Sequence, residues 1–270
     1  MSKATQQQGV LRANDFAEIK PLLGLCRAGR LFEVQAWIAS GKPVNSPTNC
    51  KRRIDSPLEE SIDLGFHSLV EVLLKGGAEF GGDGYKSPMS RALGSRRVDI
   101  VKLLVEHGFK ASDVNLRDVF DTWDASLVEY FIDRGADAET GRPLAYALCN
   151  RIRTALRIFK GYRSKFPNFQ EQVNIALRHH CREGNLKWVS LMLWAGADPL
   201  SKGVDAWDSD GDDGNGLSAV VLATIYKHYD ILSLKKMRLA PDHPEALEVA
   251  SCACEGTLSV AMHLNSTIPP

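Results

Sequence analysis

The chain has no excess of either charge: 33 Lys and Arg stand against 33 Asp and Glu, for a formal net charge of zero with His neutral. That balance argues against a nucleic-acid binder relying on a broadly basic surface. Long apolar runs are missing as well. Ala219 to Ala223 has the length of a core segment, far short of the roughly 18 residues of a membrane span. The opening MSKATQQQGVLRAND has an early Lys with no apolar stretch behind it, unlike a secretory signal. The six cysteines (Cys26, Cys50, Cys149, Cys181, Cys252 and Cys254) are scattered, a pattern of reduced core thiols and not of a disulfide framework. These absences predict a cytoplasmic protein without a membrane association; only export by a route that ignores N-terminal signals would escape the argument. Phosphate-loop, dinucleotide-fingerprint, nucleophile-elbow and HExxH motifs are all absent.

What is present is ordinary for a globular chain. Hydrophobic content is 44% and charged content 24%, which excludes wholesale disorder. A length of 270 residues allows one large domain or two small ones. The informative feature is a period. Gly41, Gly77, Gly108, Gly135 and Gly196 each close an apolar run, at spacings of 36, 31, 27 and then 61 residues. The runs, such as Ile100-Val-Lys-Leu-Leu-Val and Leu127-Val-Glu-Tyr-Phe-Ile, have i, i+3, i+4 spacing, one apolar face of a helix. Glycine after such a run supplies a left-handed cap. About 20 residues earlier, Ser56-Pro57-Leu58 and Ser87-Pro88-Met89 place a hydroxyl at the N-cap and Pro at the first helical position. Lys20-Pro21-Leu22 and Arg142-Pro143-Leu144 keep the Pro without the hydroxyl. Gly29, Gly65 and Gly184 fall where two helices must turn. Each unit therefore reads as a short helix, a tight turn, a longer helix and a glycine-ended loop.

This pattern resembles the ankyrin repeat. The resemblance is carried by Ser56-Pro-Leu, Gly65 and Leu69-Val-Glu-Val-Leu-Leu-Lys-Gly-Gly-Ala78, by Val98-Asp-Ile-Val-Lys-Leu-Leu-Val-Glu-His-Gly108, and by the endings Arg134-Gly-Ala-Asp137 and Ala195-Gly-Ala-Asp-Pro199. It implies an all-α solenoid of about seven to eight helix-turn-helix units, near 16–45, 52–80, 83–112, 113–138, 140–167, 170–200, 214–240 and 242–266. Residues 1–15 would be an N-terminal extension, 16–266 the repeat domain and 267–270 a tail. The sequence departs from the family in places. The Thr-Pro-Leu-His start never occurs whole, and its His position holds Leu23, Glu59, Ser90 and Ala145. Arg96 and Trp123 replace the inter-helix glycine, and the fifth unit lacks a closing glycine.

The clearest insertion is the acidic loop 201–216, SKGVDAWDSDGDDGNG. Asp208, Asp210 and Asp212 match positions 1, 3 and 5 of a calcium loop, but Asp213 stands where glycine is needed and Ala219 where glutamate is needed. The loop reads either as a solvated hairpin or as an acidic finger that docks a basic partner, with Trp207 as anchor. His179-His180-Cys181 cannot converge on one metal, because adjacent helical residues point about 100° apart; the register makes His180 a packed core residue. Cys252-Ala-Cys254 has the wrong spacing for a metal pair. Trp37, Trp188 and Trp194 lie on second helices and are expected in core or inter-unit packing.

The resemblance places partner contacts at the first-helix ends and the loop tips. The candidates are Arg27, Asp63, Asp121, Arg182 and Tyr226 at helix ends, Arg52, Arg53, Tyr85 and Lys86 at hairpins, and Trp207, Asp208, Asp210 and Asp212 in the loop. Their mixed charge fits a protein partner better than nucleic acid. The resulting expectation is a non-catalytic module that binds one specific protein without cofactor or metal, as a regulatory, inhibitory or immunity subunit. The alternatives are an effector that binds a foreign-cell target, or a calcium-binding or enzymatic protein using the 201–216 loop.

Overall fold

A computed structural model describes residues 11–48, 55–81, 87–203, 216–239 and 243. The chain divides into two units, residues 1–122 with 130–137, and residues 123–129 with 138–270.

In the first unit, first helices alternate with second helices. The pairs are α1 (Phe16–Arg27) with α2 (Leu31–Ala39), α3 (Pro57–Asp63) with α4 (His67–Lys75), and α5 (Pro88–Gly94) with α6 (Val98–Glu106). The second helix is the longer in each pair except the first, where α1 has 12 residues and α2 nine. Then comes α7 (Leu116–Asp121), while α8 (Ala125–Asp133) is divided, residues 130–133 falling in the first unit and 125–129 in the second. First helices pack on first helices, α1 on α3, α3 on α5 and α5 on α7, while α2 packs on α4 and α4 on α6. The apolar positions found from the period fill this core: Leu58, Ile62, Leu73, Met89, Leu93, Ile100 and Leu104 are all fully buried. At α3 the expected start is realised as a capping box. Ser56 Oγ accepts from the Glu59 amide at 3.2 Å, and the Glu59 carboxylate accepts from the Ser56 amide at 2.7 Å. Two orphan donors of the helix end are thereby satisfied.

The first helix starts earlier than Lys20-Pro21 suggested. Asp15 is its N-cap and accepts from the Glu18 amide at 3.0 Å, so Pro21 lies inside α1. A stronger cap upstream won over the proline signal. Residues 11–13 run beside residues 44–45, with the Ala13 amide donating to the Asn45 carbonyl at 3.0 Å. Asn45 also stitches neighbouring loops: its side chain accepts from the Glu79 amide and donates to the Gly77 carbonyl.

The second unit contains α9 (Pro143–Cys149), α10 (Ile158–Gly161), α11 (Phe169–Arg182), α12 (Leu186–Trp194), α13 (Ala219–Ile225) and α14 (Tyr229–Leu232). α11 packs on α9, α12 and α13. It begins seven residues before the position that repeat register assigns, and most of its residues are buried. Although contacted on several sides, α11 is rich in polar residues, and it buries Gln172, Asn174, Arg178 and His180 beside its apolar ones. The missing closing glycine of the fifth unit has a structural counterpart. In place of one second helix, that unit has 3-10 turns at Arg153–Arg157 and Arg163–Lys165 around the four-residue α10. Among the described residues there is no strand, and no helix is long and apolar enough to cross a membrane.

Candidate binding surface

The turn between first and second helix needs one residue with positive φ. Gly29, Gly65 and Gly184 provide it at 67°, 71° and 70°. At the equivalent positions Arg96, Trp123, Arg151 and Lys227 adopt 53°, 61°, 60° and 60°. L-residues pay for this geometry and glycine does not. The two departures expected from the sequence, Arg96 and Trp123, therefore keep the turn and accept the strain. Their side chains are exposed, Trp123 at 48%.

Just before these turns, the predicted helix-end residues are linked from one unit to the next. Arg27 pairs with Glu60, and that carboxylate holds the guanidinium pKa above its ordinary value. Asp63 pairs with Arg91, which also reaches Asp55 at 2.5 Å and lies 4.0 Å from Glu59. Asp121 is exposed at the end of α7. Its charge adds to the burial that raises the Asp118 pKa, against the lowering hydrogen bond from Ser90. Arg182 Nε donates to Tyr226 Oη at 3.2 Å, with the guanidinium 5.8 Å from that ring's centre. Tyr226 in turn stacks on His228, whose Nε2 lies 3.0 Å from the Arg182 carbonyl. Arg27 with Glu60, Asp63 with Arg91, and Arg182 with Tyr226 are thus three separate pairings. The remaining candidates, Arg52, Arg53, Tyr85, Lys86, Trp207, Asp208, Asp210 and Asp212, lie outside the described residues, as do Cys252 and Cys254.

His180 occupies the buried place that register assigns to it. One ring nitrogen, Nε2, is 3.0 Å from the Leu148 carbonyl, and Nδ1 has no hydrogen-bond partner among the described residues. Burial pushes its pKa down to about 4. Trp188 packs 5.4 Å from it between ring centres. Burial likewise raises the Cys26 thiol to about 11 and the Cys181 thiol to about 12, so neither thiolate forms near neutral pH. Among the described residues, no three His, Cys, Asp or Glu side chains converge to hold a metal. Trp37 is half-buried, with Nε1 donating to the Pro43 carbonyl at 2.9 Å. Trp194 lies outside the core, at 68% exposed, and its ring meets Phe159 of the preceding repeat at 6.2 Å between centres, the inter-repeat alternative of the expectation.

Three features escaped the sequence reading. Arg91 is the hub of the Asp55 and Asp63 pairs; its arginine four residues after the Ser87 cap was the available signal. Gln172 is fully buried and bridges unit boundaries: its oxygen accepts from the Leu144 and Ala145 amides, and its nitrogen donates to the Ala138 carbonyl. Arg178 is 3% exposed and donates to the Ser201 carbonyl at 2.9 Å, at the base of the acidic insertion.

No family model and no curated protein sequence matches this chain. Solved structures do. The human ASB11 ankyrin repeat domain superposes with a TM-score of 0.55 at 19% identity, covering 86% of this chain and 97% of that one. The ankyrin repeat domain of Bcl-3, described as a unique member of the IkappaB protein family, also gives 0.55, at 18% identity, over 78% and 97%. The helix-turn-helix register, the positive-φ turns and these two likenesses agree: the chain has the all-α ankyrin-repeat fold.

Proposed function

We propose that this chain is a non-catalytic, cytoplasmic protein-binding module that recognises one specific protein partner, as a regulatory, inhibitory or immunity subunit. The observation that carries the reading is the state of the first-helix ends. Arg27, Asp63 and Arg182 are each tied to a side chain of the adjacent repeat before any partner arrives. Side chains ordered in advance lose little entropy on binding. Two of the pairs join arginine to a carboxylate and the third joins arginine to a tyrosine hydroxyl, so the helix ends offer a partner both charge and an aromatic ring. We propose Arg52, Arg53, Tyr85, Lys86, Trp207, Asp208, Asp210 and Asp212 as further partner contacts, on the sequence alone.

Native mass spectrometry of the protein gently purified from its own host tests this reading. The expected outcome is a heteromeric mass whose second component is a protein. If only the 29.7 kDa chain appears, with and without prior chemical cross-linking, the reading fails.

A further inference from the structure

Both units carry ion pairs, among them Arg142 with Glu171 and Arg157 with Glu129 in the second. In the first, Arg12 pairs with Glu79, Arg27 with Glu60, Arg91 with Asp55 and Asp63, and Arg97 with Asp99. In the second, the turns that follow α9, α11 and α13 collect Arg151, Arg153, Arg182, Lys187 and Lys227 against only Glu183 and Asp230. Arg151, Arg153, Lys187 and Lys227 are exposed, and among the described residues none of these four makes an ion pair. A chain with zero net charge has thus left a local cationic excess at one set of turns.

Two further observations act on the same place. Arg151 and Lys227 hold left-handed backbone, whereas Gly184 serves the turn between them. Glycine would relieve the strain at both positions, and no contact of either side chain within the described residues offsets it. Like charges on neighbouring turns add a repulsion that a bound anion removes. At the middle turn, Tyr226 Oη accepts from Arg182 and holds the guanidinium in place, and Tyr226 itself is 45% exposed.

α11 packs against both α9 and α13, so the three turns are consecutive steps. Packed helices lie about 8–10 Å apart, and an extended peptide covers about 3.3–3.6 Å per residue, so one step matches about three residues. We propose that these turns bind an extended acidic segment of the partner protein, with carboxylates about three residues apart facing Arg151, Arg182 and Lys227. The proposal rests on the protein-binding reading and adds the chemistry of the segment bound.

The probe is a fluorescein-labelled peptide of four Glu-Ser-Gly repeats, with a Lys-Ser-Gly counterpart, titrated with the full chain by fluorescence anisotropy at low salt. The glutamate peptide should bind, weaken as salt is raised, and outbind the lysine peptide. The Arg151→Gly/Lys227→Gly variant should bind it at least about tenfold more weakly with Tm unchanged or raised, since glycine suits both backbones. Arg151→Gln/Lys227→Gln removes the charges alone and should show the same loss. Absence of binding by the native chain, or undiminished binding by both variants, overturns the proposal. Tighter binding of a single-stranded oligonucleotide of equal charge, lost in the same variants, would overturn it in favour of nucleic acid. Native mass spectrometry of the glycine variant separates the two levels. A partner still held by that variant keeps the protein-binding reading and removes these turns from it.

Discussion

His180 shows what burial alone does to an ionisable side chain. Its ring is fully enclosed, and the pKa falls from an ordinary 6.5 to about 4. The unfolded chain therefore takes up the proton first as pH falls. The stabilisation from keeping this ring neutral is complete above pH 6.5 and is lost as pH falls through about 4. Across that window it amounts to about 3 kcal/mol. Urea titrations at pH 7 and pH 4.5 should show a larger loss of stability in the native chain than in His180→Gln; equal losses would remove His180 from the account. Repeat counting alone was enough to place this histidine inside and to set aside a metal role. It could not find Gln172 or Arg178, because a buried polar residue is specified by carbonyls and amides that only the folded neighbours bring to it.

At the scale of the helix, sequence signals were readable where they were local. Ser56-Pro57 with Glu59 is one contiguous motif, and it folds as the capping box it spells out. Ser56→Ala should cost about 1 kcal/mol. Leu104, fully buried on α6, comes from the 3.6-residue period; Leu104→Ala should cost roughly 2–5 kcal/mol by loss of burial and opening of a cavity. Thermal melts of the two variants check both values, and a Leu104→Ala melt equal to the native one would overturn the register of the third unit. Signals that compete were harder to read. Pro21 marks the repeat position that begins a helix elsewhere, yet Asp15 caps α1 one turn and more upstream. In α11, the register gave the end at Arg182 and the turn at Gly184 but not the start at Phe169, because the added N-terminal turns carry polar residues such as Gln172 and Asn174 whose burial depends on the folded neighbours.

For the molecule as a whole, the period survived where the family's wording did not. No complete Thr-Pro-Leu-His start is present to support a sequence comparison. The glycine spacing, the apolar faces and the positive-φ turns remain, and they suffice for a superposition on ankyrin repeat domains at 19% identity. The candidate site was legible only in outline: helix ends could be counted out, but not which of them are paired and which cations are left over. Within the second unit, α9 lacks one continuous second helix of its own and is held by α11, through Gln172 to Leu144, Ala145 and Ala138 and through His180 to Leu148. Cleavage offers a way to see this. Lys165 is exposed in the segment between them, and trypsin acting there under native conditions should yield two fragments that still co-elute on gel filtration and part only in denaturant. Fragments that separate without denaturant would show that the clasp is too weak to matter. If they stay together, the backbone connection at 165–166 is dispensable once the chain has folded, and the segments before and after it could be supplied as separate polypeptides that recapture each other through this clasp.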